Sequence, residues 1–125
     1  MFAETKAFSS FAVNDLAQAR EFYEGTLGLD VSSPMEEMLL SLDLAGDRPT
    51  MIYLKPDFAP ATYTVLNFEV DDLDAAVDEL TSRGVEFERY EGMDQDERGI
   101  SRAGGGPPIA WFKDPAGNIL SVLTP

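Results

Sequence analysis

One ten-residue pattern occurs twice in this chain. Ser10-Phe11-Ala12-Val13-Asn14-Asp15-Leu16-Ala17-Gln18-Ala19 matches Asn67-Phe68-Glu69-Val70-Asp71-Asp72-Leu73-Asp74-Ala75-Ala76 at a constant offset of 57, with Phe, Val, Asp, Leu and Ala coinciding. Each copy runs from alternating apolar residues into an Asp that can cap a helix. Each is then followed by a helical stripe, a glycine stop, a short strand and a hairpin. A duplicated unit constrains the fold more than any single propensity does, because both copies must be the same supersecondary structure. The expectation is βαβββ written twice, module one over about 5–54 and module two over about 62–124. Together they make one domain of 125 residues, the length of an ordinary folding unit.

Within module one, Thr5–Val13 reads as a strand, with Phe11 and Val13 on one face and Phe8, Ser10 and Ala12 on the other. A helix from Leu16 to about Thr26 follows. Asp15 is its N-cap and Gln18 stands three residues on; Leu16, Ala19, Phe22 and Tyr23 form its apolar stripe and Gly28 stops it. Leu29–Ser33, Met38–Leu44 and Thr50–Leu54 read as strands, and the proline-bearing Lys55–Pro60 as a linker.

Module two repeats the plan. Tyr63–Val70 is its first strand, with Leu66, Phe68 and Val70 on one face. Asp72 caps a helix running to about Ser82, Gly84 ends it, and Val85–Tyr90 is strand-like. Glu91–Gly106 is polar and glycine-rich and reads as a long mobile loop. The last hairpin joins Pro107–Phe112 to Asn118–Leu123 through Asp114-Pro115-Ala116-Gly117. There Asp114 can accept from its own downstream backbone, Pro115 presets φ and Gly117 tolerates positive φ.

Composition narrows the chemistry. Hydrophobic residues make up 44% and charged residues 26%, a folded rather than disordered balance. Nine basic residues face 23 acidic ones, a net charge of −14, which argues against nucleic acid and anionic membranes as partners. No apolar run is long enough to span a bilayer, and no basic segment precedes an apolar core near the start, so a cytoplasmic location is expected. Cysteine is absent, which removes disulfides and thiolate chemistry. Histidine is absent too, and with it the commonest general base and metal ligand.

Val13-Asn14-Asp15-Leu16, Phe22-Tyr23 and Leu27-Gly28-Leu29, taken with Trp111-Phe112-Lys113-Asp114-Pro115-Ala116-Gly117-Asn118, resemble the vicinal oxygen chelate superfamily. This is the glyoxalase, bleomycin-resistance and extradiol-dioxygenase group. The resemblance covers essentially the whole chain. It implies an α+β fold of two βαβββ modules forming a curved mixed sheet around a shared cavity, commonly in a homodimer. It also implies where a metal would sit in the metal-dependent relatives. Their first-strand ligands align with Phe8 and Val65, the ligand after the Asp-Pro-x-Gly turn with Ser121, and the fourth falls near Ile52 or Tyr53. None of these carries an ordinary ligand for a divalent ion, so no metal and no cofactor are expected.

Strand alternation marks candidate site residues independently. If Phe11/Val13 and Leu66/Phe68/Val70 pack on the helices, then Phe8, Ser10 and Ala12, and Val65, Asn67 and Glu69, face the concave side. Ile119, Ser121 and Leu123 share a face, and Trp111 and Tyr53 supply walls. Apolar walls with a few polar groups suit a small-molecule site, and aromatic faces suit a planar or cationic ligand. The ligand-binding candidates are Phe8, Ser10, Tyr53, Val65, Asn67, Glu69, Trp111 and Ser121, with Glu69 the one candidate catalytic base.

Other features offer less. Glu36-Glu37 reads as a solvated turn. Asp94-Gln95-Asp96-Glu97 lacks EF-hand spacing. Gly104-Gly105-Gly106 is not a phosphate loop, since no Lys-Ser/Thr or helix follows. The expected function is metal-free binding of a small planar or cationic molecule. The alternatives are a lyase, isomerase or dioxygenase of the same superfamily with a non-standard site, and a regulatory partner with no ligand.

Overall fold

Alternation and capping organise the observed architecture. The computed structural model describes residues 1–35, 38–102 and 106–125; Glu36-Glu37 and Gly104-Gly105, singled out above, lie outside them. The chain divides into two compact units, Met1–Ala59 and Pro60–Pro125, and the boundary falls at the end of the linker expected from its prolines.

Unit 1 contains β1 (Ser9–Val13), α1 (Leu16–Arg20) continuing into a π-helical segment Glu21–Thr26, β2 (Asp30–Met35), β3 (Leu39–Asp43) and β4 (Thr50–Leu54). The sheet order is β1-β4-β3-β2, with β1 and β4 parallel and the other pairs antiparallel. Phe11, Val13, Leu40, Leu42 and Ile52 are buried on one face, together with Ala19 and Tyr23 of the helix. Fully burying a Leu or Ile side chain contributes roughly 1.5–3 kcal/mol, so this face supplies the core of the unit. The helix start is set by Asp15, whose Oδ1 accepts from the Gln18 amide at 3.0 Å.

The ending departs from the simple helical stripe. The Leu27 amide bonds Phe22 O, five residues back, and the turn widens. That winding lets adjacent aromatic residues both pack inward. Tyr23 meets Phe22 edge-to-face at 5.2 Å and Phe11 at 6.0 Å.

Unit 2 contains β5 (Thr64–Glu69), α2 (Leu73–Ser82), β6 (Ile109–Lys113) and β7 (Ile119–Leu123), with sheet order β5-β7-β6. Its first and last strands are parallel, as in unit 1. Asp72 repeats the cap of Asp15, accepting from the Ala75 amide at 3.1 Å. Leu73 and Val77 of α2, with Ala110, Phe112, Leu120 and Val122 of the sheet, are buried. The hairpin turn is a buried polar clasp. Asp114 accepts from the Asn118 amide at 2.8 Å and from Asn118 Nδ2 at 3.0 Å, and Gly117 takes φ 98°. A side chain at Gly117 would also bring a Cβ within 3.3 Å of Pro60.

Two expectations for unit 2 need correction. Residues 85–90 are not a regular strand: Phe87 makes an isolated bridge to Phe112, and the Glu88 amide bonds Trp111 O at 2.8 Å. Gln95 occupies the outer edge instead. Its Oε1 accepts from the Tyr90 amide at 2.8 Å while its Nε2 donates to Glu88 O at 2.9 Å and Gly99 O at 2.8 Å, so a side-chain amide stands in for a neighbouring strand.

Nor is the described part of 91–106 a loose loop. Ile100 and Ser101 are buried, Ser101 pairs with Ile109, and Arg98 and Arg102 reach Asp78 and Asp74 of α2, each at 2.8 Å. An apolar anchor and polar clasps hold it, which a count of polar residues does not reveal. Among the described residues no helix is long and apolar enough to cross a membrane.

Candidate functional site

The register of each sheet decides which candidates are neighbours, because residues directly paired across strands project to the same face. In unit 2, Asn67 of β5 pairs with Ser121 of β7, and Ser121 pairs with Trp111 of β6. Three of the expected residues therefore form one row across the face opposite α2. Ser121 is fully buried and its hydroxyl donates to Asn67 Oδ1. Asn67 itself is exposed. Ser121 thus orients Asn67, and the Asn67 carboxamide is the group open to solvent.

Trp111 is half-buried and its ring meets Tyr90 edge-to-face, centroids 5.6 Å apart at 71°. Tyr90 was not among the candidates. Nothing in its local pattern sets it apart; only the edge pairing of Glu88 with Trp111 brings it there. Its hydroxyl is buried without a hydrogen-bond partner among the described residues, and burial pushes the phenol above its usual pKa, helped by the Glu88 carboxylate and opposed by Lys113. Lys113 and Glu88 are themselves 3.2 Å apart.

The next row along is Glu69, Leu123 and Ile109. Glu69 is exposed, two residues beyond Asn67 on the same strand. Val65 falls at an irregularity in the β5–β7 pairing between Thr64 and Leu66, so alternation does not fix its direction.

In unit 1, Ser10, Met51, Ser41 and Ser32 form the corresponding row, and Ala12, Tyr53, Leu39 and Met35 the next. Tyr53 is exposed, and Phe8 lies just ahead of β1 with 66% of its surface open.

Both the repeat and the sheet order agree with the Glyoxalase/Bleomycin resistance protein/Dioxygenase superfamily, whose family model matches residues 7–122. The chain belongs to this superfamily. Solved structures of members share the fold. The chain is similar to a member from Sphaerobacter thermophilus DSM 20745, at 22% identity, coverage of 96% and 98% of the two chains, and TM-score 0.71. It is similar to TnmS3, an antibiotic binding protein from Streptomyces sp. CB03234, at 23% identity, 98% coverage of both chains and TM-score 0.71. A lactoylglutathione lyase from Agrobacterium tumefaciens aligns at 20% identity, with 98% and 95% coverage and TM-score 0.66. No curated protein sequence matches the chain significantly. Identities this low carry the fold and leave the activity open.

The metal site of the glyoxalase/dioxygenase superfamily can be tested against these side chains. The repeat equates Ser10 with Asn67, and their β-partners are Met51 and Ser121. The module-one counterpart of Ser121 is therefore Met51, a correction to the range around Ile52 and Tyr53; Ile52 points into the helix-covered core. The four positions then hold Phe8, Met51, Val65 and Ser121. Two offer no donor atom, one a thioether, and one a hydroxyl already given to Asn67. Such a set does not fit a divalent cation, which needs several converging oxygen or nitrogen donors. Among the described residues no group of three or more Asp or Glu converges as a metal site elsewhere.

Proposed function

We propose that this glyoxalase/bleomycin-resistance superfamily member binds a small planar molecule, neutral or cationic, without a metal. The observation that carries the reading is the Asn67–Ser121–Trp111 row. A buried hydroxyl holds the Asn67 carbonyl oxygen, which leaves the amide N–H groups to donate to an acceptor on the ligand. The indole, backed by Tyr90, offers an aromatic surface beside them. Glu69 on the same face adds a negative charge suited to a cationic substituent. The antibiotic-binding relative supports such a role for this fold. The same reading takes the protein as a cytoplasmic homodimer with no nucleic-acid or membrane partner.

Trp111 is the sole tryptophan, so its emission reports on the site directly. Titration with proflavine, a planar cation, and with a neutral flavone is expected to give saturable quenching that Asn67→Ala weakens. Unchanged emission and unchanged melting temperature at millimolar ligand would overturn the reading. Stoichiometric zinc, nickel, iron or manganese in the purified protein would overturn its metal-free part.

A second reading has one observation behind it. Glu69 is an exposed carboxylate beside the Asn67 amide, an arrangement that suits a general base in a metal-free lyase or isomerase. Turnover abolished by Glu69→Gln, with ligand binding retained, would favour it.

A further inference from the structure

We infer that unit 1 carries a binding site for a small aromatic carboxylate at the start of β1 and β4. The site is a pocket of about 440 Å³ lined by Ala7, Phe8, Ser9, Arg48, Pro49 and Thr50. That volume lies within the roughly 300–1,000 Å³ of small-molecule sites. Ser9 and Thr50 are the first paired residues of the parallel strands, so Phe8 and Pro49 stand side by side one step ahead of the sheet.

Arg48 supplies the charge. Every other arginine donates to a carboxylate or a carbonyl: Arg20, Arg83, Arg98 and Arg102 to acidic side chains, Arg89 to the carbonyls of Asp96 and Glu97. Arg48 has no such partner among the described residues, in a chain with 23 acidic side chains to choose from. Its backbone is also restrained. Asp47 before it adopts φ 55°, and Pro49 after it favours an extended conformation at position 48. Position 48 thus sets where the Arg48 side chain leaves the backbone at the pocket wall.

Ligand class follows from these groups. A planar guanidinium pairs with a carboxylate through two parallel hydrogen bonds. One unpaired arginine balances one negative charge, so a monoanion suits this acidic protein better than a phosphate dianion. The exposed Phe8 ring beside it gives an aromatic group a surface to stack on. Phe8, which the superfamily resemblance aligns with a metal-ligand position, then contributes its ring face.

The test is calorimetric titration of the full chain with naphthoate, using naphthamide as the uncharged counterpart. Saturable naphthoate binding is expected, with naphthamide weaker by about tenfold or more. Arg48→Gln is expected to weaken naphthoate by roughly ten- to a hundredfold, the range for hydrogen bonds to a charged group. Arg48→Lys should retain part of the affinity, and Phe8→Ser should lower it. Because Arg48 is exposed and unpaired, Arg48→Gln should leave the melting temperature unchanged, which controls for folding. No heat at millimolar naphthoate, equal binding of naphthamide, or full affinity in Arg48→Gln would each overturn the inference. So would loss of binding in Trp111→Phe with Arg48→Gln unaffected, since the ligand would then lie on the unit 2 sheet.

Discussion

Replacing Asp114 by Ala tests the polar clasp that closes the β6–β7 hairpin. The carboxylate accepts from the Asn118 amide at 2.8 Å and from Asn118 Nδ2 at 3.0 Å, and both residues are buried. Hydrogen bonds to a charged group contribute about 1.5–3 kcal/mol each, and a donor left buried without a partner costs its desolvation as well. Taking the lower figure for both bonds gives a destabilisation of about 3 kcal/mol. With an unfolding entropy near 2.1 cal/mol/K per residue, the chain has about 0.26 kcal/mol/K in total. The melting temperature should therefore fall by about 11 °C.

Differential scanning calorimetry measures this directly. Asp114→Asn sharpens the test, because an isosteric amide keeps one acceptor but turns an NH₂ group toward the Asn118 donors. It should lose at least one bond and fall by about 5 °C or more. A drop below about 3 °C for Asp114→Ala, or a neutral Asp114→Asn, would refute the assignment of the turn's stability to this carboxylate.

Asp96 sets an acid limit on the 91–102 segment. Burial by itself would raise its carboxyl, but the amides of Ile100 and Arg98 and the guanidinium of Arg102 outweigh burial and hold it below its usual 3.8. A depressed folded pKa means the contribution is fully present above 3.8 and is lost as pH falls through the lower folded value. Hydrogen-exchange protection at Ile100, corrected for intrinsic rates, should drop in that acid window in the native protein. It should already be reduced at neutral pH in Asp96→Asn; a pH-independent Ile100 amide would contradict this. For Tyr90, the buried hydroxyl, without a partner among the described residues, makes Tyr90→Phe neutral or stabilising by up to about 1–3 kcal/mol, since an unmet polar group is removed and the ring packing on Trp111 stays. Chemical denaturation showing a clear loss of stability would mean that the hydroxyl is satisfied in solution.

The sequence by itself determined whatever depends on neighbours along the chain. The offset of 57, the caps Asp15 and Asp72, the self-bonded turn at Asp114 and the helix-facing alternation of Phe11 and Val13 are local signals, and each appears in the structure. Periodicity also puts Asn67 on the face of its strand away from the helix and Ser121 on one face with Ile119 and Leu123, because the pleat allows only two directions. Tertiary structure decided which of these side chains meet. Strand register, a property of the pairing and not of either strand, put Met51 in the place read as Ile52 or Tyr53 and set Ser121 between Asn67 and Trp111. Tertiary packing also made Gln95 a substitute strand edge, brought Tyr90 against Trp111 and left Arg48 beside Phe8 with no acidic or carbonyl partner among the described residues. Contacts between residues distant in sequence depend on how strands slide and which edges they leave open, and local pattern carries no record of either.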